Sequence, residues 1–247
     1  MSDVKAEMRV LVVAAHAGQQ RNAGRVPYAA HVLSVGEILQ DALLQGGECH
    51  DAALLQDLYL AALGHDLYED TDIAPAEIRQ RFGDRVDAFI ESMTNRAGDH
   101  DRAAYEARMR GAAEEVRLVK LADLVDNVVS CAYGIHDLGY RWVRDTFFPL
   151  AVGMTRIVEA SKFDQFPKTA QLLLGWLSFG LLRLKSNLAI THVLSDKPID
   201  GAAAAENLAK WDGTFNSDPR ELELYKECER REGWLVQGIW VFPNQDV

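Results

Sequence analysis

Apolar residues recur at helical spacing along most of the chain, and this pattern predicts a mainly α-helical protein. A first helix is predicted at about residues 5–17, and the polar segment 18–27 is predicted as a loop. A second helix begins at Tyr28 and continues to the pair Gly46-Gly47. Glycine readily adopts the left-handed conformation that follows many helix ends, so this pair is a natural end for the helix.

The pattern changes near residue 185. A strongly apolar helix is predicted from Pro167 to about Leu184. Beyond it, two strands and one helix are predicted, at Leu188–Leu194, Trp234–Phe242 and Ala202–Trp211. The second strand is rich in aromatic and β-branched residues, which favour extended structure. We therefore predict a main helical domain at residues 1–184 and a small C-terminal α+β appendage at residues 185–247.

One apolar helix leads directly into four polar side chains. His65, Asp66, Glu69 and Asp70 follow an apolar segment that begins near Ala52. On a continuous helix these four residues fall within an arc of about 140°, because each residue advances by about 100°. Burying that much charge without a partner costs too much free energy. A metal ion, a substrate or a buried salt-bridge network is therefore expected at this face.

A second polar cluster is predicted on another helix. Asp123 and Asn127 are four residues apart and share a face of a mostly apolar helix at about residues 116–133. His31 lies in the first turn of the second predicted helix. Two imidazoles and two carboxylates give a mixed nitrogen and oxygen donor set, which suits Mn²⁺, Fe²⁺ or Zn²⁺. A buried ion pair between Asp123 and Lys120 is the alternative for this carboxylate.

Composition narrows the classes of partner. The chain has 247 residues and a formal net charge of −11, which disfavours broad binding to nucleic acid or to an anionic membrane. Cys49, Cys131 and Cys228 are widely spaced and form no CxxC pair, so they are predicted to be reduced thiols of a cytoplasmic protein. The most apolar stretch, Leu172–Leu182, is too short to span a bilayer.

The polar clusters lie within three motifs. The first is Q-Q-R-x-x-G-x-x-P-Y-x-x-H at Gln19–His31, the second is H-D-x-x-E-D-T at His65–Thr71, and the third is K-L-A-D-x-x-x-N at Lys120–Asn127. Together they resemble the motifs of the RelA/SpoT-type alarmone hydrolases, which are HD-domain phosphohydrolases. The resemblance covers about residues 10–135 and implies an HD-domain helical bundle for the main domain.

The resemblance also implies an activity and a set of roles. It implies an enzyme similar to guanosine-3′,5′-bis(diphosphate) 3′-pyrophosphohydrolase, which removes the 3′-pyrophosphate from (p)ppGpp-type nucleotides with Mn²⁺ or another divalent metal ion. The implied metal ligands are His31, His65, Asp66 and Asp123. The implied proton-transferring carboxylates are Glu69 and Asp70. The implied nucleotide contacts are Arg21 and Asn127, with Arg25 as a further candidate.

The sequence departs from the family's pattern at three positions. Gly64 stands where a larger apolar residue is common, Leu124 stands where Arg or Lys is usual, and Asp126 stands where His is usual. These positions are expected beside the pocket, where they bear on substrate identity more than on metal binding. Asp126 is otherwise interpreted as a polar neighbour of the site.

Two alternative functions stay open from the sequence. One is hydrolysis of another phosphorylated nucleotide, such as NADPH at its 2′-phosphate, and the other is non-catalytic nucleotide sensing. The pair Glu69 and Asp70 favours an enzyme, because a sensor needs no base, although a solvated helix face is the alternative for this pair. A solvated loop is likewise the alternative for Arg21. The expected partner is a small-molecule nucleotide, with no nucleic acid and no membrane, and a homo-oligomer is left open.

Overall fold

The described part of the chain is mainly helical, as the sequence predicts. The structure is a computed structural model, and it describes residues 3–21, 26–95, 102–160, 162–195, 234–236 and 239–241. The first helices are α1 (Val4–Ala15), α2 (Ala29–Gly46), α3 (Ala52–Gly64), α4 (Leu67–Asp70), α5 (Pro75–Phe82) and α6 (Asp84–Met93). The later ones are α7 (Arg102–Gly111), α8 (Glu114–Leu138), α9 (Tyr140–Trp142), α10 (Phe148–Glu159) and α11 (Pro167–Ser195), with a π-helical segment at Val143–Phe147. The strands are β1 (Gln20–Arg21), β2 (Val26–Pro27), β3 (Trp234–Val236) and β4 (Ile239–Val241).

The core forms where α2 packs against α3 and α8, and where α3 packs against α6. Residues 58–64 of α3 are buried without interruption. Gly36 of α2 allows a close approach, because a Cβ atom at this position would lie only 2.8 Å from Cδ2 of Leu63. The end of α3 is therefore fixed against the helix that carries His31.

Gly64, the last residue of α3, lies in the hydrophobic core. A Cβ atom at Gly64 would lie 2.7 Å from Cδ1 of Ile90 and 3.3 Å from Cδ1 of Leu67. Ile90 is fully buried, so its side chain occupies the space that a larger residue at position 64 would need. The expectation that this departure from the family's pattern shapes the pocket was therefore wrong, because a side chain at position 64 would point into the hydrophobic core.

The predicted loop at residues 18–27 contains regular structure. β1 and β2 pair as a short antiparallel ribbon, in which Gln20 is opposite Pro27 and Arg21 is opposite Val26. The segment between them, residues 22–25 with Arg25, lies outside the described residues. Two-residue strands carry too few positions to show an alternating pattern, so this ribbon could not be predicted from periodicity.

The predicted strand Leu188–Leu194 was wrong, because α11 continues through it to Ser195. No glycine or proline occurs between Leu181 and Ser195, so nothing in the sequence interrupts the helix. The predicted strand Trp234–Phe242 contains two short antiparallel strands, β3 and β4, instead of one. The predicted helix Ala202–Trp211 lies outside the described residues.

The N-terminus of α11 is fixed to the segment that follows α2. The Glu48 carboxylate accepts hydrogen bonds from the backbone N–H groups of Lys168 and Thr169, at 2.7 and 2.9 Å. Gly46 leaves room for the Thr169 side chain, since a Cβ atom at Gly46 would collide with the Thr169 hydroxyl oxygen. The N-terminus of α11 is thereby capped by Glu48, a residue from a much earlier part of the sequence.

The chain divides into two compact units, Met1–Leu184 and Lys185–Val247, and α11 crosses the boundary between them. The first unit contains α1 to α10 and most of α11. In the second, the structure describes the end of α11 and the β3–β4 pair. Within the described residues, every helix is too short or too polar to cross a membrane.

Candidate metal centre

Three separate segments bring two imidazoles and two carboxylates to one place. His31 comes from α2, His65 and Asp66 follow α3, and Asp123 comes from α8. The Nε2 atoms of His31 and His65 are 3.2 Å apart. Oδ2 of Asp66 lies 3.4 Å from Nε2 of His31 and 3.1 Å from Nε2 of His65. Oδ1 of Asp123 lies 3.4 and 3.6 Å from the same two nitrogen atoms.

These spacings fit a common metal ion. Bonds of about 2.0 to 2.2 Å between a metal and its ligands place neighbouring ligand atoms about 3.0 to 3.6 Å apart. The measured separations of 3.1 to 3.6 Å fall in this range. The ligand atoms of His31, His65 and Asp66 lie within 4.8 Å of one another. The donor set therefore suits a divalent ion of the Mn²⁺, Fe²⁺ or Zn²⁺ class.

The second nitrogen of each imidazole is held by an acceptor outside the cluster. Nδ1 of His65 donates to the carbonyl oxygen of Ala62 at 2.8 Å. Nδ1 of His31 donates to Oδ2 of Asp126 at 2.7 Å. A carbonyl or an ionised carboxylate can only accept, so both Nδ1 atoms carry hydrogen and both Nε2 lone pairs face the cluster in the neutral rings.

Electrostatics also favours a cation at this cluster. Burial lowers the pKa of His31, but hydrogen bonds to Asp123 and Asp126 outweigh burial and raise this pKa to about 9. Burial lowers the pKa of His65, whereas the charge of Asp66 raises it. The net effect is an increase of this pKa. Burial opposes ionisation of both aspartates, yet His65 holds the pKa of Asp66 low and Lys120 holds the pKa of Asp123 low. Without a metal ion the protonated imidazoles and the carboxylates thus stabilise each other, and a divalent ion would replace the imidazole protons.

The predicted continuous helix through His65 and Asp70 was wrong. α3 ends at Gly64, and Asp66 has φ −101° and ψ 1°, outside the helical region. α4 then begins at Leu67. This turn directs His65 and Asp66 into the cluster, whereas Glu69 and Asp70 lie exposed on the following helical turn. The four side chains therefore do not form one helix face.

Tyr28 is a direct hydrogen-bond partner of Asp66. Its hydroxyl group donates to Oδ2 of Asp66 at 2.7 Å, which orients the carboxylate of this predicted ligand. Burial, and then the charges of Asp66 and Asp70, raise the pKa of Tyr28, so its hydroxyl group stays protonated. The backbone carbonyl of Asp70 accepts a hydrogen bond from the side-chain amide of Gln19 at 2.6 Å. Asp70 is thus held at the margin of the cluster.

Glu69 points toward a different neighbour. Oε1 of Glu69 accepts a hydrogen bond from the backbone N–H of Asn95 at 2.5 Å. Although Glu69 is exposed, the surrounding protein removes enough water to raise its pKa to about 7, against the opposing effect of the Asn95 hydrogen bond. The charge of Asp66 raises the pKa further. A carboxyl group with such a pKa can accept and return a proton near neutrality.

The two oxygens of Asp123 have different roles. Oδ2 accepts from the ammonium group of Lys120 at 2.7 Å, so the ion pair considered as an alternative is present. Oδ1 faces the two imidazoles and also accepts from the side-chain amide of Asn127 at 2.5 Å. The ion pair and the ligand position are therefore compatible, because they use different atoms.

Arg21, predicted to contact the nucleotide, is bound by residues of α8. Its guanidinium group donates to Oδ2 of Asp126 at 2.6 Å and to Oδ1 of Asn127 at 2.9 Å. Asn127 therefore contacts both Arg21 and Asp123, and it links the β1–β2 ribbon to the cluster. Asp126 is a direct partner of both His31 and Arg21, so its interpretation as a mere polar neighbour was wrong.

Tyr28 and Asp126 are the two neighbours of the cluster that sequence reasoning left without a role. Tyr28 occurs within the first motif, three residues before His31, and this spacing was the available indication. Asp126 lies three residues after Asp123 on α8, which places both carboxylates on one side of that helix. The indication for Asp126 was the i, i+3 spacing of two carboxylates on a largely apolar helix.

The chain is similar to known HD-domain proteins. The HD domain family matches residues 9–140, more than half of the chain. A guanosine-3′,5′-bis(diphosphate) 3′-pyrophosphohydrolase of Aquifex aeolicus is 34% identical over 119 residues, which are 46% of this chain and 16% of that protein. The guanosine-3′,5′-bis(diphosphate) 3′-pyrophosphohydrolase MESH1 of Xenopus tropicalis is 34% identical over 113 residues, which are 44% of this chain and 59% of that protein. The chain thus spans less than two thirds of each relative.

A solved structure shows the same fold. It is that of a metazoan ortholog of SpoT that hydrolyzes ppGpp, and it superposes with a TM-score of 0.54 at 21% sequence identity. The likeness covers 71% of this chain and 96% of that one. At this identity the comparison concerns the fold alone, and it supports the HD-domain helical bundle.

Proposed function

Because the chain belongs to the HD domain family, we propose that it is a metal-dependent hydrolase that removes the 3′-pyrophosphate from (p)ppGpp-type nucleotides. The observation that carries this proposal is the group of His31, His65 and Asp66, whose ligand atoms lie within 4.8 Å of one another, with Oδ1 of Asp123 beside both imidazoles. The names of the two relatives supply the substrate class. Mn²⁺ is the metal ion that we propose, in keeping with the mixed donor set.

The four clustered residues would hold the ion. When bound, a divalent ion lowers the pKa of a water molecule and polarises a phosphoryl oxygen. The chain's own contribution is to keep both Nε2 atoms directed at the ion, through the acceptors Ala62 and Asp126. Tyr28 keeps the Asp66 carboxylate in place from the other side.

Glu69 and Asp70 are the carboxylates that we assign to proton transfer. Glu69 has the pKa suited to this task, about 7, and the backbone of Asp70 is held by the side chain of Gln19. Either carboxylate could accept a proton from the attacking water and return it to the leaving pyrophosphate. This role distinguishes an enzyme from a nucleotide sensor.

Arg21 and Asn127 are the proposed contacts for the nucleotide. They lie side by side, and Asn127 reaches Asp123. A guanidinium group presents five N–H donors, of which the bonds to Asp126 and Asn127 use only some. The remaining donors are available for a phosphate or a base edge.

We also propose that residues 1–184 form the hydrolase domain, with residues 185–247 as an appendage that hydrolysis does not need. The matched segment, residues 9–140, lies within the first range. A cytoplasmic location is part of the proposal, since Cys49 and Cys131 are free thiols in the described structure.

The decisive experiment incubates the purified protein and Mn²⁺ with nucleotides that carry phosphates at the 2′, 3′ or 5′ position. We expect release of pyrophosphate from ppGpp, and loss of that release in the His65→Ala variant. Preferred cleavage of a 2′-phosphate, as in NADPH, would replace the substrate assignment. Tight binding of ppGpp by the wild type without turnover would show a sensor.

A further inference from the structure

One carboxylate oxygen serves both the metal cluster and the predicted nucleotide contact. Oδ2 of Asp126 accepts from Nδ1 of His31 at 2.7 Å and from the Arg21 guanidinium at 2.6 Å. The side chains of Asp126 and Arg21 are each only 15% exposed, and that of His31 is 2% exposed. The three groups therefore form a largely desolvated chain from the β1–β2 ribbon to the cluster.

We propose that Asp126 is a positioning residue with two opposite effects, one on metal affinity and one on substrate affinity. Toward His31, it fixes the ring with hydrogen on Nδ1, so that Nε2 faces the ion. Toward Arg21, it holds and partly neutralises the guanidinium group that would otherwise attract an anionic nucleotide. This inference rests on the proposed function, because it takes His31 as a metal ligand.

The effect on metal affinity follows from the chemistry of the pair. An acceptor on the outer nitrogen of a ligating histidine fixes its tautomer and makes its inner nitrogen more basic, and the loss of such an acceptor lowers metal affinity by about 10- to 100-fold. Oδ2 of Asp126 lies 2.7 Å from Nδ1 of His31 and 2.6 Å from the Arg21 guanidinium group. A guanidinium group can only donate, so this oxygen acts as an acceptor.

The effect on substrate affinity has the opposite sign. A nucleotide phosphate that binds Arg21 has to compete with the Asp126 carboxylate at 2.6 Å. Removing the negative charge of Asp126 removes this competition. An ion pair of this kind changes an affinity by a factor of up to about five. Asp126 thus favours the metal ion while it weakens the attraction for a polyanion.

The test is the Asp126→Asn variant, which keeps the size of the side chain and removes its charge. Mn²⁺ affinity is measured by calorimetric titration, and we expect it to fall by about 10- to 100-fold relative to the wild type. The nucleotide KM is measured with ppGpp at saturating Mn²⁺, and we expect it to fall by a factor of up to about five. A side chain that only maintained the fold would not improve KM while it weakened metal binding.

Two further variants separate the effect on metal affinity from the effect on substrate affinity. Asp57→Asn is the matched control, because Asp57 forms an ion pair with Arg85 in another part of the first unit, and we expect both constants to stay at wild-type values. Arg21→Ala should leave Mn²⁺ affinity within about threefold of the wild type, because it keeps the Asp126–His31 bond, and should raise the nucleotide KM.

The outcomes distinguish this inference from the proposed function. Wild-type metal affinity in Asp126→Asn would overturn the inference, and so would an increased KM at saturating Mn²⁺. If the wild type itself binds no Mn²⁺, or if His31→Ala binds it as tightly, the proposed metal centre fails and the inference fails with it. A melting temperature near that of the wild type for Asp126→Asn shows that the changes are not caused by unfolding.

Discussion

The carboxylate of Glu69 accepts a hydrogen bond from the backbone N–H of Asn95 at 2.5 Å. This bond joins the end of α4 to the segment that follows α6, so two elements fix the direction of the Glu69 side chain. The surrounding protein removes water from the Glu69 carboxyl group and raises its pKa to about 7, even though the N–H donor lowers this pKa. Glu69 is therefore oriented by one bond and still able to change its protonation state near neutrality.

The first prediction concerns Glu69 and Asp70. Glu69→Gln and Asp70→Asn keep the shape of the side chain and remove its charge, and at least one should lower kcat by about 100-fold or more, as general acid–base catalysis is worth about 10²–10⁴. A base has to be ionised to accept a proton, so wild-type activity should rise with pH through about 7, the pKa of Glu69. The measurement is kcat as a function of pH with ppGpp and Mn²⁺.

Mn²⁺ content and nucleotide affinity serve as the controls for these variants, and both should change much less than kcat. If both variants keep activity close to that of the wild type, neither carboxylate transfers the proton. If kcat of Glu69→Gln still rises with pH near 7, the pKa that controls this rise belongs to another group.

The second prediction concerns the metal ligands. Mn²⁺ affinity should fall in each of the variants His31→Ala, His65→Ala and Asp123→Ala. The loss should exceed the factor of about 10 to 100 that follows removal of a residue that only hydrogen-bonds to a ligand. His50→Ala is the matched control, since His50 is an exposed histidine outside the motifs. Metal analysis of the purified variants is the measurement. Full occupancy in His65→Ala and Asp123→Ala would exclude this site.

The third prediction is a pH dependence of metal binding. A protonated imidazole cannot bind a metal ion, and in the metal-free cluster the pKa of His31 is raised to about 9. Protons therefore compete with the ion over a wider range than at an ordinary histidine, and the apparent Mn²⁺ affinity should continue to increase from pH 7 to about pH 9. Titrations in buffers that do not bind Mn²⁺ measure this slope, and a constant affinity above pH 7 would contradict the prediction.

The fourth prediction tests the core contact of Gly64. Gly64→Ala should destabilise the protein by about 1 to 3 kcal/mol, because its Cβ would lie 2.7 Å from Cδ1 of Ile90. Ile90→Val removes this Cδ1 atom and should cost about 0.5 to 1.5 kcal/mol alone. The double variant should be more stable than the sum of the two effects predicts. Urea unfolding of the four proteins gives the coupling, and strict additivity would show that the two positions do not interact.

The fifth prediction concerns the appendage. A chain truncated after Ser195 should remain folded and hydrolyse ppGpp, because the matched segment ends at residue 140 and the clustered residues end at Asn127. The measurements are the circular dichroism spectrum and kcat/KM. A folded truncated protein with no turnover on any nucleotide would show that residues beyond 195 contribute to the pocket.

The clustered side chains could be predicted from the sequence because each one lies in a motif and belongs to a residue type that binds metal ions; their role as ligands stays a prediction. His31, His65, Asp66 and Asp123 occur at spacings that the family resemblance identifies, and the structure brings all four together. The mainly helical fold followed from periodicity for a similar reason, since long amphipathic segments repeat the pattern many times.

The turn at Asp66 could not be predicted, because periodicity extends through a single non-helical residue without a visible break. Apolar spacing continues from α3 to Leu67, so the sequence indicated one helix where the structure has two. The role of Asp126 was hidden for another reason. An i, i+3 pair of carboxylates has the same spacing whether the second one faces solvent or a histidine from another helix, and only the packing of α2 against α8 decides this.

The cap that Glu48 provides for α11 sets an order of events during synthesis. Translation proceeds from the N-terminus, so the four clustered residues are all available once Asp123 has left the ribosome. The partners of Glu48, the N–H groups of Lys168 and Thr169, emerge later. The residues of the cluster are therefore synthesised before the donors that bind Glu48. Completion of the bundle is delayed until α11 arrives, and until then the surface that α11 later covers faces water.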